Sequence, residues 1–382
     1  MKIAFIVSHP TQFEVPFYKY IAKNSDIQFD VIYYDAQKTK EIYDPELNRK
    51  IDWGFDLFED YKYQILPQSN FSTTLRNILI GTKYDIAIIN GYSNKPLIKS
   101  ILISKLYKIP IALRLDTVAF NNQTFFKKMI KKILYKILNK IFIAFFPVGS
   151  LSKQFLMECG INERKIGIFS YITDNNYFLE TSSFLYQRRN ELRKNLNINV
   201  TKKVVISVTK FNEREAPWDL IRAFELLDFS KYHLLLIGDG SSRMELEKYA
   251  NNKLHNNFTF TGYVQYTELP KYYAISDIYV HCSNNEPWGV SVQEALSCNV
   301  PVVASDRVGS AYDLIVSKKN GFIYLTGNIE DLHRKILDVD NLDADIFLET
   351  TKERLNEWSY SHCIQNIINE ISKNLEVVKI NE

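Results

Sequence analysis

Residues 278–304 read IYVHCSNNEPWGVSVQEALSCNVPVVA, and this stretch sets the fold class. Ile278–His281 is a short apolar run, Pro287 and Gly289 shape a turn, 290–298 has helical patterning, and 301–304 is a second apolar run. The strand segments are rich in β-branched residues without clean alternation, as expected when helices cover both faces of a sheet. A strand, a helix and a strand in that order predict a parallel pair. The helix start offers unpaired backbone N–H groups and a positive dipole end, a natural seat for a diphosphate. Glu294 lies about one turn inside, where its carboxylate can accept paired hydroxyl protons as on a ribose; dipole stabilisation or solvation is the plainer reading. Glu286, in the preceding loop, would reach a sugar hydroxyl.

The same alternation extends in both directions. Strands are predicted at 3–8, 29–33, 86–89, 109–113 and 143–147, with helices at 15–23, 71–80, 94–107 and 124–140. Segment 35–68 reads as an irregular excursion. Residues 172–203 read as a joint, with a charged helical stretch near 187–196. Beyond it come strands at 204–208, 233–237, 258–261, Ile278–His281, 301–304 and 321–323. This is an α/β chain with two Rossmann-like, doubly wound domains, expected to face each other across a cleft with ligands at the carboxyl ends of the strands. The predicted domains are 1–175, 176–355 and a C-terminal helix in 356–382 crossing back to the first, with Trp358 as an apolar anchor.

At 382 residues, 46% hydrophobic and 24% charged, the chain is long enough for two cores and is not a disordered or repeat sequence. Its four cysteines are scattered without a CxxC pair, which argues against a zinc or disulfide framework. The opening apolar run is too short for a signal-peptide core, so a cytoplasmic location is expected. Net charge is +3, but residues 1–180 hold 24 basic against 17 acidic groups while 181–382 hold 23 against 27. The basic first half suggests an anionic partner, membrane lipid or a phosphorylated acceptor rather than nucleic acid.

The Glu286 to Glu294 segment with ALSCNVPVVASDRVG after it resembles retaining glycosyltransferases of family 4, which have the GT-B fold. VTKFNEREAPWDLIRAF (208–224), LLLIGDG (234–240), FTGYV (260–264) and Trp358 extend the likeness. SHPTQFEVPFYKYIA (8–22) and IDWGFDLFEDY (51–61) resemble a bacterial surface-polysaccharide subgroup. The resemblance implies that Glu294 holds the nucleotide ribose and Glu286 the donor sugar, with the backbone of Trp288, Gly289 and Val290 beside it. It implies Lys210 against the diphosphate. The family's second basic residue falls on Glu215, which would have to point away, leaving Arg214 as substitute or as plain surface. Gly238 and Asp239 would line the nucleotide side or simply form a tight turn. Asp116 stands where relatives carry a histidine, and would orient a substrate or hold a loop. Thr11 and Gln12 replace a glycine-rich loop and would donate hydrogen bonds to the diphosphate; His9, beside them, is the candidate functional histidine or a packing residue.

The implied reaction is retaining transfer from a UDP- or GDP-sugar to a lipid-linked or saccharide acceptor in cell-envelope polysaccharide synthesis, with no cofactor and no metal requirement. A nucleotide-sugar 2-epimerase and a silent nucleotide-sugar-binding protein are the alternatives. Finally, 125–140 carries six lysines, and no acidic residue occurs between Asp116 and Glu158. Four-residue spacing predicts lysines on one side of a helix and Ile, Leu and Phe on the other. Such a helix is an ordinary solvated face or a contact with an anionic membrane surface, which would make the protein peripheral on the inner face.

Overall fold

The computed structural model describes residues 1–35, 43–44, 49–50, 53–118, 120 and 125–380. The chain separates into two compact units: Met1–Tyr43 with Asp56–Ile172 and Tyr360–Glu382, and Asp44–Phe55 with Thr173–Ser359. The first contains strands β1 (Lys2–Val7), β2 (Gln28–Tyr33), β3 (Tyr63–Ile65), β4 (Ile86–Asn90), β5 (Ile111–Leu115) and β6 (Ala144–Pro147). All pair in parallel, in the order β3-β2-β1-β4-β5-β6. Between them run α1 (Glu14–Asn24), α2 (Phe71–Thr82), α3 (Lys95–Leu106) and α4 (Phe125–Ile141), with α5 (Ser150–Glu158) after β6. The buried run of β1 serves both faces. Ala4 and Ile6 join Leu75, Leu97, Tyr135 and Leu138 of the helices. Phe5 turns the other way, onto Tyr18, Phe29 and Phe169.

The second unit begins with α6 (Asn175–Tyr186) and α7 (Arg189–Asn195). Its strands are β7 (Lys203–Val208), β8 (Tyr232–Ile237), β9 (Phe258–Gly262), β10 (Ile278–His281), β11 (Val302–Ser305) and β12 (Gly321–Tyr324). They too are parallel, in the order β9-β8-β7-β10-β11-β12. The helices are α8 (Pro217–Glu225), α9 (Arg243–Lys253), α10 (Leu269–Ala274), α11 (Val290–Ser297), α12 (Gly309–Leu314), α13 (Ile329–Asp338) and α14 (Ala344–Glu357). Leu220, Ile221, Phe224, Leu246 and Leu332 pack with Val205, Leu234, Leu236 and Val280 of the sheet. The last helix, α15 (Tyr360–Ile380), returns to the first unit, where Tyr360 lies on Phe17 and Tyr20 at 5.7 and 5.3 Å between ring centroids.

The differences from the expected elements have local causes. The strand expected at 109–113 starts at Ile111 because the Ile109 N–H goes to the Ser104 carbonyl and Pro110 has none to give. Of the excursion expected over 35–68, part lies outside the described residues. The described part holds β3, an edge strand too short to carry a pattern. The joint expected over 172–203 is largely helical: Asp174 accepts the Tyr177 N–H at 3.0 Å and caps α6.

Candidate functional site

In open parallel sheets of this strand order, the binding crevice opens where the order reverses, outside the carboxyl ends of the two central strands. In the second unit these are β7 and β10. β7 leads into Thr209 and Lys210, and β10 ends at His281 before the 282–289 loop. The two loops are stitched together. The Asn284 N–H and the Ser283 hydroxyl both donate to the Arg214 carbonyl, at 2.8 and 3.0 Å. A third segment closes the wall. The Glu286 N–H donates to the Arg307 carbonyl and the Gly309 N–H to the Glu286 carbonyl, each at 2.9 Å, and Ser310 N–H donates to Trp288. Gly309 fits because a Cβ there would stand 2.0 Å from the Pro287 carbonyl. Gly289, with φ at +90°, makes the left-handed turn that sets Val290 at the first turn of α11.

Four charged groups meet at this crevice. Lys210 is half-buried at the end of β7. Arg214 stretches its half-exposed guanidinium onto the Glu215 carboxylate at 2.5 Å and comes within 3.9 Å of Glu286. Glu215 is turned inward and buried, with its other oxygen 3.4 Å from the Thr209 hydroxyl and 3.9 Å from His281 Nε2. Burial raises the carboxyl pKa of Glu215, opposed by Arg214, and burial likewise raises that of Glu286. His281 is held neutral: burial pushes its pKa down to about 4. A lone histidine at a strand end carries no spacing signal, so nothing in the sequence singles out His281.

Glu294 sits in the second turn of α11, fully enclosed, and accepts the Tyr273 hydroxyl at 3.0 Å. Burial raises its pKa to about 7. Trp288 is buried and packs on Trp358, 4.8 Å between ring centroids. Gln293 and Ser297, one turn apart on α11, both donate to Asn175, so α6 fixes the rotation of the helix. The chain thus brings Lys210, Arg214, Glu286, Trp288, Gly289, Val290 and Glu294 to one loop cluster with its following helix.

The remaining candidates fall differently. Gly238 lets the end of β8 press on β7's loop, since a Cβ would meet the Thr209 carbonyl at 1.8 Å. Asp239 holds its own turn: one oxygen takes the Gly240 N–H at 2.9 Å and the other pairs with Arg243 at 3.0 Å. Thr11, Gln12 and Asp116 belong to the first unit. Thr11 bonds locally to the start of α1. Its oxygen caps the Glu14 N–H and its proton goes to the Glu14 carboxylate, both at 3.2 Å. A Thr three residues before a Glu at a helix start favours this local bonding. Gln12 is half-buried beside it, and Asp116 is exposed just after β5. His9 Nδ1 lies 2.8 Å from the Ser8 hydroxyl. Glu14 is further tied to buried Arg114, whose guanidinium donates to it at 2.5 Å and also to the Phe169 and Ser170 carbonyls.

Two six-stranded parallel sheets with a returning terminal helix define the GT-B architecture, and the UDP complex of HepE (Alr3699) from Anabaena has this fold. It superposes with a TM-score of 0.75 at 18% identity, covering 97% of this chain and all of that one. Residues 188–355 match the family described as Glycosyl transferases group 1. Among curated proteins, alpha-monoglucosyldiacylglycerol synthase from Acholeplasma laidlawii is 26% identical over 163 residues, 41% of this chain and 40% of that protein. The sulfoquinovosyl transferase SQD2 of Arabidopsis thaliana is 32% identical over 142 residues, 36% of this chain and 27% of its own length. The chain therefore spans well under half the length of these relatives.

Proposed function

We propose that the chain is a glycosyltransferase that moves a sugar from a nucleoside-diphosphate sugar to a hydroxyl of a lipid-linked or saccharide acceptor. The carrying observation is the convergence of Lys210, Glu286 and the first turn of α11, with Glu294 buried one turn on, at the reversal point of the second sheet. Lys210 and the helix start would stabilise charge on the departing diphosphate, and Arg214 adds less because Glu215 already neutralises it. Glu294 would take the ribose and Glu286 the sugar. Glu286 is partly exposed, with both Arg214 and His281 beside it. Retention of configuration by front-side attack, assisted by the leaving phosphate, is the course the family resemblance implies. The UDP complex of HepE supports the donor class, and the diacylglycerol product named for the Acholeplasma protein supports a lipid acceptor.

A membrane-surface acceptor is part of the same reading, in the setting of envelope glycan synthesis on the cytoplasmic face. No helix among the described residues is long and apolar enough to cross a membrane. In α4, however, the apolar residues do not keep to one side as expected. Tyr135 and Leu138 enter the core, whereas Phe126, Ile130, Ile133 and Ile137 are 64, 51, 54 and 52% exposed, beside Lys132, Lys136 and Lys140. The apolar arc is wider than the sheet can cover. An exposed apolar line with lysines alongside suits a helix lying in an anionic interface.

The test is turnover of a panel of UDP- and GDP-sugars by the purified chain with a cell-envelope lipid extract. Labelled sugar should pass to an extractable acceptor with its anomeric configuration kept. Release of an altered monosaccharide without acceptor would instead identify an epimerase, and binding without turnover a silent binding protein.

A further inference from the structure

The crevice holds a group of three side chains of which the proposed reaction uses only Glu286. Glu215, His281 and Glu286 each offer one ligand atom, and these atoms lie within 4.8 Å of one another. Ligand atoms about 2.0–2.2 Å from a tetrahedral cation stand roughly 3.3–3.6 Å apart. A contraction of up to about 1 Å, within the torsional freedom of two glutamates, would close the set. The histidine is built for it. Its side chain is 6% exposed, and Nε2 is fully enclosed with no hydrogen-bond partner among the described residues, aimed at the Glu215 carboxylate 3.9 Å away. On the far side of the ring, Nδ1 lies 2.8 Å from the Tyr279 hydroxyl and 3.0 Å from that of Ser291. Tyr279 donates to Ser291 at 2.6 Å, which leaves the Tyr279 oxygen able to take the Nδ1 proton. Nε2 then carries a bare lone pair, the tautomer and outer-shell support typical of a metal-bound imidazole.

Charge points the same way. Lys210 and Arg214 are matched by Glu215 and Glu286, so these four groups offer no net positive charge to a diphosphate. The Arg214 guanidinium now rests on Glu215, and with half its surface in solvent it can swing out. We propose that His281 Nε2 and one oxygen each of Glu215 and Glu286 bind a divalent transition-metal ion, placed to meet the diphosphate of the donor. The mixed nitrogen and oxygen set favours Mn²⁺ or Zn²⁺ over Mg²⁺ or Ca²⁺, which prefer oxygen alone. The resemblance implied no metal requirement; here the glutamate at 215 is a ligand that brings a cation. The metal site stands on these three side chains; its place beside the diphosphate rests on the proposed function.

The experiment is metal binding by the full chain after chelator treatment, without nucleotide. Free Mn²⁺ is counted by its paramagnetic resonance signal and Zn²⁺ by competition with a chromophoric chelator. One equivalent should bind, at least tenfold more weakly in Glu215→Gln and His281→Ala, and unchanged in His255→Ala, at an exposed position. Glu215→Gln keeps the side-chain shape and decides the matter if His281→Ala does not fold. No bound metal, or equal binding by the wild type and the ligand variants, overturns the site. Added UDP should tighten Mn²⁺ at least tenfold. UDP that binds without changing Mn²⁺ affinity overturns the ion's place at the diphosphate. UDP that does not bind at all counts against the donor reading and leaves the metal count standing.

Discussion

Glu294 combines a charge with complete burial, and pH exposes the cost. Its pKa rises from the ordinary 4.5 to about 7 on folding. The folded chain therefore holds a proton that the unfolded chain releases between these values, so stability falls as pH rises from about 4.5 to 7 and levels off above. Tyr266, Tyr273, Tyr279 and Cys298, which feel its charge, are pushed upward by burial and stay neutral throughout that window. Glu294→Gln should flatten this slope: melting curves of the two proteins should nearly coincide at pH 5 and diverge by pH 7, the variant higher. The same residue should matter to the ligand. Glu294→Ala is expected to weaken binding of UDP or GDP by about 1.5–3 kcal/mol, the worth of a charged hydrogen bond, measured by calorimetry on folded protein. Lys210→Ala should lower kcat far more than it raises KM, because its charge acts as the diphosphate departs. Arg214→Ala, whose charge Glu215 holds, should lose less than Lys210→Ala; equal losses would give both cations the same role.

At the scale of elements, the 286–289 turn and the 307–310 segment are locked backbone to backbone, so their glycines are structural parts of the site. Gly309→Ala would push a methyl against the Pro287 carbonyl, which cannot yield without moving Glu286. Overpacking of this kind costs about 1–3 kcal/mol, read as a lower midpoint in urea, and should depress donor turnover with it. This lock was not legible in the sequence. The helix of 290–298 and both flanking strands were, because periodicity reports burial; the pairing of 286 with 308 is a tertiary contact with no period. His281 escaped for the same reason, since its partner Glu215 is far off in sequence. The bonding of Thr11 to Glu14 is local and follows from their three-residue spacing, whereas its reading toward the diphosphate came from the resemblance alone. For α4, spacing gave the helix but not how its apolar arc divides between core and solvent. Ile133→Ser with Ile137→Ser, both more than half exposed, should leave the melting temperature within a degree or two and abolish co-sedimentation with anionic vesicles. Lys132, Lys136 and Lys140 to Gln should weaken that binding by up to about 3 kcal/mol at low salt, at roughly 1 kcal/mol each. Wild-type protein that stays in the supernatant at low ionic strength would make the exposed line ordinary surface.

For the whole molecule, the same strand order occurs twice, and each unit has its own core. The first unit is assembled from separated pieces of chain, since α15 completes it from beyond residue 359. Ile371 on α15 is wholly buried, and Glu370 lies against Gly167. Synthesis from the N-terminus turns this into an order of events. About 190 residues must be made after Ile172 before α15 is available, roughly 10–40 s at 5–20 residues per second. During that interval the aromatic face of the first sheet lacks Tyr360 and its helix, while every segment of the second unit has already emerged by residue 359. The half of the chain translated first is thus the half that can finish last.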